Sequence, residues 1–270
     1  MKLARLRNAR EIAYEMHGPD TKVPLLIVRP LGGSMSSWAD FADALSARMR
    51  VIMFDACGTG RSSRAPWTMS TRSMATDARD LLDHLEIDKA HVYGISLGGM
   101  VASWLAADHA KRVDTLTLAS TTPMGTMFRP KAIPRGLSVA TCLRHAAPQA
   151  EACMATRILS SHFRRTQPEE VARIRERAAA FPASHRSLAI LLAAAARHDV
   201  RRHLATIEAD TLVLLGEHDP LLTLESQQEM LEELPRSTFH VVKGAGHDVS
   251  AEAPRVVAAR VLEHLNGSNR

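Results

Sequence analysis

The sequence predicts an α/β fold: a mostly parallel central sheet flanked by helices, with a helical segment inserted before the sheet is complete. Three observations lead there. Between residues 24 and 119, short apolar runs alternate with segments of helical length and spacing, as parallel βαβ units require. Over residues 122–202 no strand pattern recurs, and that stretch is rich in Ala, Arg and His. Strand rhythm returns at Thr211. These shifts divide the chain into a core of residues 1–121 and 199–270 and a helical insertion of residues 122–198.

Residues 3–7 and 11–16 read as strands around the turn-prone pair Asn8-Ala9. Residues 24–28 form a short apolar run ending in a loop rich in Pro and Gly, the pattern of a buried strand. Helical spacing over 38–49 leads into a strand at 50–55. A loop at 56–67 and a helix over about 70–85 follow. Residues 90–93 are a strand, 96–109 a helix of small residues, and 113–119 the next strand. The insertion is punctuated by Pro123, Pro130, Pro134, Pro148, Pro168 and Pro182 and reads as several helices. Strands at 211–215 and 238–242, with helices at 224–234 and 254–266, finish the fold. There is no internal repeat and no low-complexity linker.

At 270 residues, with 46% apolar and 23% charged residues, the composition excludes disorder, collagen and coiled coil. No apolar run approaches the roughly 20 residues that cross a bilayer, and the N-terminus mixes charged and apolar residues, unlike a signal peptide. Cys57, Cys142 and Cys153 are scattered without metal-ligand spacing, and the expectation is reduced thiols in a cytoplasmic protein. The net charge of +5 is uneven, because residues 121–203 carry fourteen Arg and Lys against five Asp and Glu. Such a basic surface favours anionic partners, although Arg makes up twenty-eight of the thirty-four cations and overall Arg usage explains it equally well. No nucleic-acid-binding motif accompanies it, and no metal, cofactor, nucleic acid or membrane is expected.

The residues that carry chemistry begin with Gly94-Ile95-Ser96-Leu97-Gly98-Gly99, preceded by a strand and followed by a helix. A serine on so sharp a strand-to-helix turn needs neighbours without bulk at minus two and plus two, where Gly94 and Gly98 stand. The turn lifts the hydroxyl out of the sheet, and the helix N-terminus offers unpaired N–H groups to a developing oxyanion. The rival reading, a dinucleotide fingerprint, fails because Ser96 replaces its second glycine and this is not the first βαβ unit. A serine hydroxyl also needs a base, and the base an orienting carboxylate. Asp219 follows one strand end and His247 follows the next, where open α/β sheets place their sites. Glu217 is an alternative acid. Asp248, adjacent to the histidine, has poor orienting geometry.

With these residues in place, the whole chain resembles the α/β-hydrolase superfamily. The resemblance rests on residues 31–38, on Phe54-Asp55 with Gly58-Thr59-Gly60-Arg61-Ser62, on the Ser96 turn, and on the acid and histidine loops. Gly94 to Met100 and Leu31-Gly32 are most similar to 3-oxoadipate enol-lactonases, and the layout resembles pimeloyl-[acyl-carrier protein] methyl ester esterases. The resemblance implies that the insertion is a cap over the active site, and that the backbone N–H groups of Leu31 and Leu97 form the oxyanion hole. Arg29-Pro30 stands where many relatives have His-Gly, a pair that the enol-lactonases also lack. Cys57 stands where arginine is common and reads as a structural substitution rather than a second nucleophile.

The function expected is therefore a serine esterase with Ser96 as nucleophile, His247 as base and Asp219 as orienting acid, needing no cofactor. Its substrate is a small ester or lactone, and Arg144, Arg157, Arg164 and Arg165 on the cap are candidates to meet an acyl-carrier protein. A non-catalytic binding protein on the same scaffold is the alternative from another class, favoured only by Arg29-Pro30.

Overall fold

The computed structural model describes residues 1–32, 34–125 and 133–267, so Pro130 and the rest of residues 126–132 lie outside the described residues. The strands are β1 (Lys2–Arg5), β2 (Glu11–His17), β3 (Leu25–Val28), β4 (Val51–Phe54), β5 (Ala90–Ile95), β6 (Val113–Ala119), β7 (Asp210–Gly216) and β8 (Ser237–Val242). They form one sheet in the order β1-β2-β4-β3-β5-β6-β7-β8. Only β2 is reversed, pairing antiparallel with β1 and β4, and the other pairings are parallel. The connection between β1 and β2 is fixed at Asn8, whose side-chain oxygen accepts the Arg10 N–H, and at Ala9, which takes a positive φ of 63°.

The helices outside the insertion are α1 (Ala39–Ser46), α2 (Thr71–His84), α3 (Leu97–Asp108), α9 (Leu224–Glu233), α10 (Val249–Glu252) and α11 (Pro254–Gly267). Those between β6 and β7, among the described residues, are α4 (Ile133–Ala140), α5 (Ala147–Arg157), α6 (Ser161–Thr166), α7 (Pro168–Ala180) and α8 (His185–Ala196). The predicted helix at 38–49 splits, with a 3₁₀ turn over Met35–Trp38 and α1 following it. Local chemistry sets several starts: Ser70, Ser160, Ser184 and Thr223 accept backbone N–H groups as N-caps of α2, α6, α8 and α9.

Strand alternation makes two apolar layers, one on each face of the sheet. Leu26 and Val28 join the layer under α2 and α3, while Leu25 and Ile27 join the layer under α1 and α11. Helix α3 is buried along nearly its whole length, which accounts for its small and apolar composition. A third, smaller cluster lies inside the insertion around Val139, Cys142, Met154 and Leu188.

That cluster corrects one expectation. Cys142 and Cys153 are joined in a disulfide, with Cα atoms 5.7 Å apart, rather than being free thiols. The 3₁₀ turn Thr141–Arg144 folds back along α5 and brings the two together, an arrangement that spacing alone does not reveal. Cys57 alone is a free thiol, fully buried, and burial pushes its pKa up to about 12, so it is no nucleophile. Among the described residues no single helix is long and apolar enough to cross a membrane.

Candidate active site

The strand order reverses between β3 and β5, which pair in parallel with Val28 opposite Gly94. Open α/β sheets hold ligands outside the carboxyl ends of strands at such a switch point. The loop after β3 carries Arg29 to Gly32, and the turn after β5 carries Ser96. The remaining contributions come from the carboxyl ends of β7 and β8, which deliver Asp219 and His247 to the same edge.

Ser96 sits at φ 53° and ψ −121°, a strained position for a residue with a side chain. Its flanking glycines are obligatory. A Cβ at Gly98 would lie 2.0 Å from the Val28 carbonyl oxygen, and one at Gly94 would lie 2.5 Å from the Gly98 oxygen. The Ser96 carbonyl is held from the opposite side by the Thr121 hydroxyl, at 2.8 Å.

Ser96 Oγ lies 2.9 Å from His247 Nε2, and His247 Nδ1 lies 2.8 Å from Asp219 Oδ2. The other carboxylate oxygen of Asp219 accepts the N–H groups of Leu221 and Leu222, so the acid is fixed from both sides. Glu217, the alternative acid, is exposed and accepts the Gly244 N–H instead. Asp248 caps α10 through the Ala251 N–H, and its burial pushes the carboxyl above the ordinary carboxylate value.

Burial pulls the His247 imidazole down. The charge and hydrogen bond of Asp219, with Asp248 and Glu252 behind, outweigh that pull and leave its pKa above the ordinary 6.5.

Ser96, His247, Leu31 and Leu97 line a cavity of about 390 Å³ whose walls are mainly apolar. The floor is the sheet edge, and the roof comes from the insertion, including Met154 and Ile158. Leu97 is the first residue of α3, where an N–H has no intrahelical acceptor. Leu31 precedes Gly32, whose positive φ of 78° turns the loop, and Arg29 closes that turn by donating Nη2 to the Gly32 carbonyl at 2.8 Å. Arg29 is buried, and burial lowers its pKa against the charges of Asp55, Glu151 and Asp248. A Cβ on Gly32 would meet the Glu151 carboxylate at 2.3 Å, so α5 packs directly on this loop.

Arg144, Arg157, Arg164 and Arg165 are exposed and do not line the cavity. Arg157 donates to the Ser138 carbonyl and Arg164 to the Ser161 hydroxyl. Arg173 and Arg177, on α7 of the insertion, are ion-paired with Glu170 and Asp40. Sequence reasoning missed Glu151, Trp38 and Glu252. Trp38 left a faint signal as an aromatic in the loop after β3; the acids left none. Among the described residues no group of three or more His, Cys, Asp or Glu is arranged to hold a metal ion.

A parallel sheet with a strained serine turn, and a histidine and acid from later strand ends, defines the α/β-hydrolase fold. The chain belongs to that family, which residues 23–254 match. It is 30% identical to a protein that carries the name carbamate hydrolase RutD in Caulobacter sp. (strain K31), over 94% of this chain and 95% of that one. It is 28% identical to 3-oxoadipate enol-lactonase 1 of Acinetobacter baylyi, over 92% and 90%. Among solved structures, a thermophilic esterase from Thermogutta terrifontis superposes with a TM-score of 0.85 at 26% identity, over the full length of both chains.

Proposed function

We propose that the chain is a serine-dependent hydrolase of carboxylic esters that works through an acyl-enzyme. The observation that carries this reading is the continuous relay from Ser96 Oγ through His247 to Asp219, set in the wall of an apolar cavity. His247 takes the Ser96 proton as Oγ attacks the ester carbonyl, and Asp219 holds the imidazole in the required tautomer. The N–H groups of Leu31 and Leu97 stabilise the oxyanion, and His247 then protonates the departing alkoxide. Water, deprotonated by the same histidine, releases the acid. The relay also argues against a non-catalytic binding protein, in which none of these three groups has a reason to be aligned.

The test is hydrolysis of p-nitrophenyl acetate, butyrate and octanoate, together with labelling by a fluorophosphonate, which should modify Ser96 and no other residue. Butyrate and octanoate should outrun acetate, because apolar walls reward a longer chain at about 0.8 kcal/mol per buried CH₂. Absence of both turnover and labelling rejects the reading. The raised pKa of His247 sets the pH dependence. The base must be neutral, so kcat/KM should be full at alkaline pH and fall as the pH drops through a value above 6.5. An Asp248→Asn variant should move that fall to lower pH, because one of the charges holding the proton on His247 is gone.

Two narrower substrates follow. Likeness to the enol-lactonase of Acinetobacter baylyi favours a lactone, whose leaving oxygen stays tethered to the acyl group. The exposed Arg144, Arg157, Arg164 and Arg165 lie outside the cavity, the place where an acidic acyl-carrier protein would be met, as with a pimeloyl methyl ester. If they serve that purpose, the carrier-bound ester should be cleaved with a KM well below that of free methyl pimelate. Replacing the four with Ala should erase only that difference.

A further inference from the structure

His247 is held not only through its ring. Its backbone N–H donates to the carbonyl of Ile158, at 2.8 Å, in the short link between α5 and α6 of the insertion. The residue before it, Gly246, donates its N–H to Glu252 Oε1 at 3.0 Å. That same oxygen accepts the Ser160 N–H at 2.9 Å, and Glu252 Oε2 accepts the Ser160 hydroxyl at 2.7 Å. Helix α10, capped by Asp248, is one turn long and carries Glu252 back over the histidine loop. There is no slack in the junction. A Cβ on Gly246 would lie 2.4 Å from the Ser160 nitrogen and 2.6 Å from Glu252 Oε1.

We infer that Glu252 is a positioning residue that seats the insertion and His247 as one unit, an inference that rests on His247 acting as the base of Ser96. One carboxylate gathers three uncharged donors, two from the insertion and one from the residue preceding His247. Losing it leaves the α5–α6 link and the histidine loop tied only through the Ile158 carbonyl. A base displaced by about 1 Å costs roughly 10²-fold in rate. The link 158–160 is therefore a fixed point within the insertion.

Several charged groups surround this junction. Asp248 and His247 share the loop, and His162, Glu170, Asp40, Asp43, Lys243 and Arg255 line the groove beside Glu252. Burial raises the Glu252 pKa against its donors, and its charge in turn helps to raise that of His247.

The experiment compares Glu252→Ala, Glu252→Gln and Ser160→Ala, with circular dichroism and thermal melts to establish folding. Glu252→Ala should lower kcat by about 30-fold or more with KM changed less than about threefold, as expected of a displaced base. Glutamine keeps an oxygen that can accept both N–H groups, so Glu252→Gln should recover kcat to within about fivefold of wild type. Having lost the charge, it should also shift the acid limb of kcat/KM to lower pH, which a purely structural residue would not do. Ser160→Ala, which keeps both N–H bonds, should fall between.

A folded Glu252→Ala with kcat within threefold of wild type overturns the inference, as does a Glu252→Gln no better than alanine or with an unmoved acid limb. If the alanine variant does not fold, the glutamine variant decides by its kcat and acid limb. Failure of the wild type to cleave any ester instead rejects the proposed activity. The inference is then read from the NMR titration of the His247 imidazole, which should move down in Glu252→Gln, and is overturned if it does not.

Discussion

Replacing Ser96 with alanine should abolish ester turnover, lowering kcat by about 10⁴-fold or more, and leave the fold intact. Alanine keeps the Cβ that already occupies the strained backbone at φ 53°, so no new overlap arises and the melting temperature should match wild type. Hydrolysis that survives should reflect only binding and the oxyanion site, which in an isolated relay still exceed the rate in water by about 10³-fold. Fluorophosphonate labelling should disappear completely. Asp219→Asn should cost about as much, since an amide favours the wrong imidazole tautomer while preserving shape. Steady-state kinetics with p-nitrophenyl butyrate and a mass spectrum of the labelled protein check both. Turnover retained at half the wild-type rate in Ser96→Ala would move the chemistry to another residue.

The second large effect concerns Gly98. An alanine there places its Cβ 2.0 Å from the Val28 carbonyl oxygen and 2.5 Å from that of Arg29. Both are backbone atoms, of β3 and of the loop that carries Leu31, so relief requires the end of β3 and that loop to move together. The expected cost is about 3 kcal/mol or more, a fall in Tm of roughly 10 °C for a chain of this size. Whatever fraction remains folded should react with a fluorophosphonate at least about 10²-fold more slowly, if the N–H groups of Leu31 and Leu97 hold the oxyanion as proposed. Gly267→Ala, whose added Cβ meets nothing within 4 Å, is the matched control and should leave both Tm and labelling unchanged.

Ser96 and Gly98 are legible in the sequence for one reason. The serine turn imposes local steric demands, and glycine at two fixed offsets is their direct record. Asp219 and His247 are legible because each follows a strand end, and a parallel sheet brings all such ends to one edge. The choice between Asp219 and Glu217 is not. It depends on the turn at Leu221 and Leu222, whose N–H groups aim the Asp219 carboxylate inward, while Glu217 faces the Gly244 N–H and solvent.

The surroundings of the cavity are less legible still. Glu151 reads as one acid in a basic insertion, yet α5 delivers it buried against Gly32. The Cys142–Cys153 pair is set by how a 3₁₀ turn folds onto α5, a tertiary choice invisible to spacing. Element types along the core follow from periodicity, but α10 is one turn long and leaves no periodic trace.

Strands β6 and β7 pair directly although residues 120–209 intervene, so the sheet closes a long excursion of chain. Closure entropy grows only logarithmically, and this excursion costs about 2 kcal/mol more than a ten-residue connection would. The scaffold can therefore carry a foreign roof without losing its foundation. Residues 133–157 are the natural graft, provided that the acid at position 151, which packs on the Gly32 loop, is kept. Residues 158–160 should remain with the recipient, because their bonds to His247 and Glu252 make them part of the catalytic frame rather than of the interchangeable module.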